Sequence, residues 1–175
     1  MTTVFWHATI SLDGFLARAD GDMSWFRAAT RPLAAAWNPT ARVGAIVAGR
    51  RTHDLGMVGD GPGAYGGAWR GPIIVPTSRR TERSPHPDVV LVDGVTEAVR
   101  RARQAAGDRD VAVFGGAVGS VALGLGLVDE LLVHIVPVLL GGGIPLYPRR
   151  ECQAFEVLEA SGPDELTSLR LRPVR

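Results

Sequence analysis

Residues 111–120 read VAVFGGAVGS. Four apolar residues come first, then two without side chains, then small residues leading into an apolar stretch with helical spacing. A short, nearly continuous apolar run suits a strand covered on both faces, so this decapeptide predicts a buried strand handing over to a helix. Runs of the same kind recur at 4–10 (VFWHATI), 45–48 (AIVA), 72–75 (PIIV), 89–92 (VVLV) and 131–136 (LLVHIV). Between them, GVTEAVRRARQAAG (94–107) puts Val95, Ala98, Val99, Ala102 and Ala106 on one helical stripe. Gly94 and Glu97 take N-cap and N3 positions there, Gly107 ends the helix, and Arg100, Arg101 and Arg103 fall on the solvated face. Further helices are expected over 23–36, 50–57 and 118–128, and a mobile loop over the glycine-rich residues 59–71. FEVLEA and LTSLRLRPV alternate rather than run, with SGPDE between them as turn chemistry, and so predict a closing antiparallel hairpin. The fold class is therefore α/β: a mostly parallel central sheet, flanking helices and an antiparallel carboxyl-terminal hairpin.

The chain has 175 residues, which fits a single domain over 1–175, and 46% hydrophobic content supports a buried core. Nineteen Lys and Arg against eighteen Asp and Glu leave a net charge of +1, which gives no reason to expect a nucleic-acid or membrane partner. One cysteine, Cys152, excludes an internal disulfide or a thiolate metal cage, and the start MTTVFWHATISLDG lacks the pattern of an export signal. The expected compartment is the cytoplasm.

Three strand ends suit phosphate. Gly115 and Gly116 follow VAVF, and the helix after them presents N–H groups with partial positive charge; the same glycine pair would also serve a tight turn. Gly49 follows AIVA, with Arg50, Arg51 and Thr52 in the first turn of a short helix. Cations there oppose the helix dipole unless an anion is shared with them, the alternative being two solvated surface arginines. Thr77, Ser78, Arg79 and Arg80 follow PIIV and suit the 2′-phosphate that separates NADP from NAD, or form a polar loop; Asp93, one strand on, would instead favour NAD.

VAVFGGAVGS, AGRRT with its strand and ATISLDGFLA, in this order and spacing, resemble the dihydrofolate reductase fold, specifically the carboxyl-terminal reductase domain of the riboflavin-biosynthesis protein RibD, in its stand-alone form. PTSRR, VVLVDGVTEAVRRA and VDELLVHIVPVLLGGGIPLY extend the resemblance over almost the whole chain. It implies a three-layer α/β fold with NADP(H) across the carboxyl edge of the sheet, a small-molecule substrate and a homodimer. Carried over, Gly49, Arg50, Arg51 and Thr52 hold phosphates, while Thr77, Ser78, Arg79 and Arg80 serve the 2′-phosphate. Phe114, Gly115, Gly116, Ala117, Val118, Gly119 and Ser120 form the pyrophosphate and nicotinamide cradle, and Ala8 and Ile10 line the nicotinamide end.

Hydride transfer needs position, facing and a proton source. Folate reductases place a carboxylate on the first helix; Thr30 stands there and supplies none, which argues against dihydrofolate. Riboflavin reductases carry Lys or Arg after the Asp-Gly pair, where this chain has Phe15, which points to a more apolar substrate. Asp13 is the candidate catalytic and substrate-contacting carboxylate, although Asp before Gly is also a common turn residue. Trp25 and Phe26 form an aromatic wall of the pocket or part of the core. His7 and His134 lie in apolar strands and read as satisfied core histidines, LLGGGIPLY as a substrate mouth or an oligomer contact, and Cys152 as inert. The deaminase signature H-x-E with P-C-x-x-C is absent. The expected activity is NADPH-dependent reduction of a small heterocyclic or carbonyl-like compound, the alternatives being 5-amino-6-(5-phosphoribosylamino)uracil reduction and a non-catalytic NADPH-binding module.

Overall fold

Strand β1, Val4–Ser11, has six of its eight residues buried. Its near-continuous apolar character follows from its neighbours: it pairs in parallel with β6 (Asp110–Phe114) on one side and β7 (Glu130–Val136) on the other. The computed structural model describes residues 2–29, 39–54, 64–78, 87–161 and 166–174. Within these, β3 (Val43–Ala48), β4 (Ile73–Pro76) and β5 (Val89–Val92) extend the sheet beyond β6, all in parallel. On the far side β10 (Thr167–Pro173) runs antiparallel to β7 and to the edge strand β9 (Phe155–Ser161). The order is β5-β4-β3-β6-β1-β7-β10-β9. A second, two-stranded sheet pairs β2 (Phe15–Ala17) with β8 (Ile144–Pro145). The expected mixed sheet and closing hairpin are both present; the turn residues 162–165 lie outside the described residues.

Alternation along the strands builds two cores. Val4 and Trp6 of β1, with Val47, Val111, Val113 and Val133, pack against α3 (Val95–Ala106) and α4 (Gly116–Gly124). On the opposite face Phe5, Ile46, Ile73, Val75, Ala112 and Leu132 pack with Ala64 and Trp69. In α3 the residues Ala98, Val99, Ala102 and Ala106 are buried, as their spacing predicts. Glu97 does not reach back to cap the helix; its carboxylate accepts from Arg100 and Arg101, each at 2.7 Å.

Three boundaries shift. The helix expected over 118–128 is α4, which begins immediately after Gly115 and ends at Gly124. Of the helices expected over 23–36 and 50–57, the described parts are α1 (Ser24–Ala29) and α2 (Arg50–Asp54). The stretch 59–71 is no free loop from Ala64 onward: Ala64–Gly67 is a tight turn, and Trp69, 7% exposed, caps the second core and donates its Nε1–H to the Val43 carbonyl at 3.0 Å. Two apolar side chains driven into one face outweigh the freedom that the glycines offer.

Candidate active site

Strands β3 and β6 end side by side, with Ala48 opposite Phe114. The pairing runs one residue further, since the Gly49 N–H donates to the Phe114 carbonyl at 3.1 Å. Gly115 then turns with φ +99°, a conformation that L side chains rarely adopt. A Cβ at Gly115 would lie 2.8 Å from Thr52 Oγ1 and 3.8 Å from the Gly49 nitrogen; at Gly116 it would lie 2.8 Å from both Leu16 Cδ1 and the Pro145 carbonyl. Gly49, Thr52, Gly115 and Gly116 therefore meet in one cradle at the carboxyl edge, with Leu16 of β2 and Pro145 of β8 over it. The first N–H groups of α4 open here, since its ladder begins with the Gly119 N–H donating to the Gly115 carbonyl at 3.0 Å.

The rest of VAVFGGAVGS divides. Ala117 is exposed and Val118 half-buried beside Gly49, but Gly119 and Ser120 turn inward. Gly119 lies under the Trp6 indole, where a Cβ would overlap the ring, and Ser120 is 1% exposed. The helix starts at Gly116, and this sets positions 119 and 120 on the face that packs against the sheet.

The basic clusters also divide. Arg50 Nε donates to Asp54 Oδ1 at 2.7 Å, one helical turn away, so this cation is answered within α2, while Arg51 is exposed. Thr77 continues the β4–β5 pairing by donating its N–H to the Val92 carbonyl at 2.8 Å, and Ser78 is exposed at the strand end. Arg79, Arg80 and Thr30 lie outside the described residues. On β1, Ala8 is buried and Ile10 half-buried on the Trp6 face. Phe15 is half-buried and pairs with Pro145. Trp25 is buried, Phe26 half-buried, and their rings meet edge to face at 6.3 Å.

Asp13 is held in a hydrogen-bond network of its own turn and a distant loop. Its carboxylate accepts from the Ser11 hydroxyl at 2.6 Å, from the Leu140 N–H at 3.1 Å and from the Gly141 N–H at 2.7 Å. The Ser11 hydroxyl and these amides hold its carboxyl below the usual carboxylate range. A carboxylate kept ionised by such donors is a poor proton source; it pins the glycine loop of residues 140–143 to the turn after β1.

The sequence reading found two core histidines but not what satisfies them. His7 Nε2 lies 2.8 Å from His134 Nε2; His7 Nδ1 meets the Tyr65 hydroxyl at 3.1 Å, and His134 Nδ1 meets the Ser168 hydroxyl at 2.6 Å. Burial, and for His7 also the neighbouring His134, lowers the two imidazoles to about 3 and about 4, so both are neutral near pH 7. The chain adjoins the cradle: the Phe114 ring lies 5.8 Å from that of His7 and 5.3 Å from that of Tyr65. Among the described residues, no group of three His, Cys, Asp or Glu is placed to hold a metal ion, and no helix is long and apolar enough to cross a membrane.

The fold has known counterparts. A provisionally named riboflavin biosynthesis protein from Shewanella sp. PV-4 superposes with a TM-score of 0.80 at 26% identity, covering 99% of this chain and 100% of its own. The Thermotoga maritima diaminohydroxyphosphoribosylaminopyrimidine deaminase/5-amino-6-(5-phosphoribosylamino)uracil reductase gives 0.71 at 20% identity over 99% of this chain, which spans 57% of that longer protein. Dihydrofolate reductase from Enterococcus faecalis, complexed with NADP(H) and RAB-propyl, gives 0.60 at 14% identity, covering 98% of this chain and 96% of its own. Among curated proteins none matches. The family description "RibD C-terminal domain" matches residues 2–171, and with that match the chain belongs to the RibD C-terminal domain family.

Proposed function

We propose that the protein is an NADPH-dependent reductase that delivers hydride to a small heterocyclic or carbonyl-like substrate. The observation that carries this reading is the meeting of Gly49, Thr52, Gly115 and Gly116 at adjacent strand ends, a space that one Cβ at either Gly115 or Gly116 would fill. Backbone of this kind lets a pyrophosphate approach closely, with α4 supplying N–H groups. The reduced nicotinamide, when bound, supplies hydride. Arg51 and Thr52 would face the phosphates from α2, Thr77 and Ser78 with Arg79 and Arg80 the 2′-phosphate, and Ala8, Ile10 and Leu16 the nicotinamide end. Phe15, Trp25 and Phe26 give the substrate side an apolar, aromatic character. Asp13 acts as a positioning residue for the loop over the mouth. The same reading makes the protein a cytoplasmic homodimer, the oligomer being open to sedimentation analysis.

Reduction of the phosphoribosylaminopyrimidine is the second reading, favoured by the name of the Thermotoga protein; Phe15, where that activity carries a basic side chain, weighs against it. Fluorescence titration with NADPH and NADH, followed by oxidation assays with the pyrimidine intermediate, dihydrofolate and a panel of carbonyl compounds, tests both. Tighter binding of NADPH and turnover with a carbonyl or an apolar heterocycle is expected. No NADPH binding at millimolar concentration overturns the reading, and tight binding without turnover on any acceptor makes the protein a cofactor-binding module.

A further inference from the structure

We infer that Tyr65 is a positioning residue for the cradle: it holds the ring of Phe114, and with it the strand end from which Gly115 and Gly116 leave the sheet. The inference rests on the reductase reading above. The register of β1 with β6 runs from Val4–Val111 through Phe5–Ala112 and ends at Trp6–Val113. Phe114, the last residue before the glycine pair, therefore has a partner residue in β3, Ala48, but none in β1. Rings take over on that side. The His7 ring lies 5.8 Å from that of Phe114, the Tyr65 ring 5.3 Å, and His7 and Tyr65 close the triangle at 5.4 Å.

Hydrogen bonds hold this triangle in place. The Tyr65 hydroxyl meets His7 Nδ1 at 3.1 Å, His7 Nε2 meets His134 Nε2 at 2.8 Å, and His134 Nδ1 meets the Ser168 hydroxyl at 2.6 Å. The chain ties β10 to β7 and β7 to β1, and it ends on the ring that touches Phe114. Each bond sets a direction as well as a distance, so the Tyr65 ring has one seat where an apolar contact would let it slide. Apolar side chains at 7 and 134 would fill the same space without desolvating two imidazoles. The backbone of Tyr65 points the same way. It stands at φ 56°, where a residue with a side chain is uncommon and persists only when its surroundings impose it. The next two residues of the turn, Gly66 and Gly67, take positive φ without that strain.

The strand end has little room to move. The Phe114 carbonyl accepts the Gly49 N–H at 3.1 Å, and a Cβ at Gly115 would already lie 2.8 Å from Thr52 Oγ1. A Phe114 ring that shifts carries the peptide to Gly115 with it, and so moves the amides that open at the start of α4. Tyr65 thus acts on cofactor affinity through Phe114, by keeping the cradle in its binding geometry before the cofactor arrives.

The test reads the strand end and the cofactor separately, in the full chain. Tyr65→Leu removes both the ring and the tie to His7. In the unliganded variant, exchange of the Gly49 amide is expected to rise at least roughly tenfold. Exchange of the Val111 amide, bonded to the Thr3 carbonyl at the other end of β6, stays as it was; a general loss of stability would speed both. NADPH affinity of the folded variant is expected to fall roughly tenfold, with Tyr65→Phe, which keeps the ring, between it and the unaltered protein. Phe114→Leu should weaken NADPH to a similar degree, and the two losses should not add in the double variant, since both act through one contact. Should leucine at this φ unfold the chain, Tyr65→Phe carries the same comparisons. Unchanged exchange at Gly49, unchanged affinity, or losses that add in full overturn the positioning role. Failure of the unaltered protein to bind NADPH removes the reductase reading instead, and Gly49 exchange then still decides whether Tyr65 holds the strand end.

Discussion

Trp6 lies flat enough against α4 that Gly119 is the one residue type that fits beneath its indole. The contact joins the central strand to the helix whose start forms the cradle. Gly119→Ala is therefore expected to destabilise the fold by about 1–3 kcal/mol through overpacking, read as a lower urea midpoint with an unchanged slope. An unchanged midpoint would show that Trp6 repacks freely.

Gly115 meets two demands at once, positive φ and a close approach to Thr52 that leaves no room for a Cβ. Gly115→Ala adds backbone strain of about 1–3 kcal/mol and a methyl group in the cradle. Weaker NADPH binding is expected, by roughly tenfold for each 1.4 kcal/mol lost.

How much of this was legible in the sequence depends on where the signal lies. The buried strands could be read because their neighbours cover both faces, and α3 because its alanine stripe has one phase. The start of α4 was placed two residues late, because small residues at 116–118 carry no apolar phase that marks where a helix begins. Gly119 and Ser120, which the family resemblance carries over as a continuation of the helix start, turn inward in α4, while Gly115 and Gly116 stand at the strand ends. Ser168 and Tyr65 gave no signal at all: each meets its histidine across 34 and 58 residues of chain, respectively, a separation that no local pattern encodes.

Acid should weaken the fold through the same histidines. Both are lowered, to about 3 and about 4, from an ordinary value of 6.5. Between roughly pH 6.5 and 4 the unfolded chain therefore binds more protons than the native one. Their contribution is complete above pH 6.5 and is lost as the pH falls toward 4, at up to about 1.4 kcal/mol per pH unit for each ring. Urea unfolding across this range should show the loss, and His7→Phe with His134→Leu should flatten it.

Asp13 joins the turn after β1 to the loop at 140–141 across 127 and 128 residues of chain. Asp13→Ala removes the carboxylate that accepts from the Leu140 and Gly141 N–H groups. Faster amide exchange and proteolysis confined to residues 139–143 are expected, with KM for the best acceptor raised more than kcat is lowered. The opposite split would return Asp13 to the chemistry itself.

The first strand of the chain is also the middle of the sheet, and none of its partners there is a neighbour in sequence: Val4 lies opposite Val111, and Trp6 opposite Leu131. During synthesis VFWHATI must wait, apolar and unpaired, until more than a hundred further residues have been made. Closing so large a loop before any reward arrives makes folding slow, and the nascent amino-terminal half is the form most exposed to aggregation.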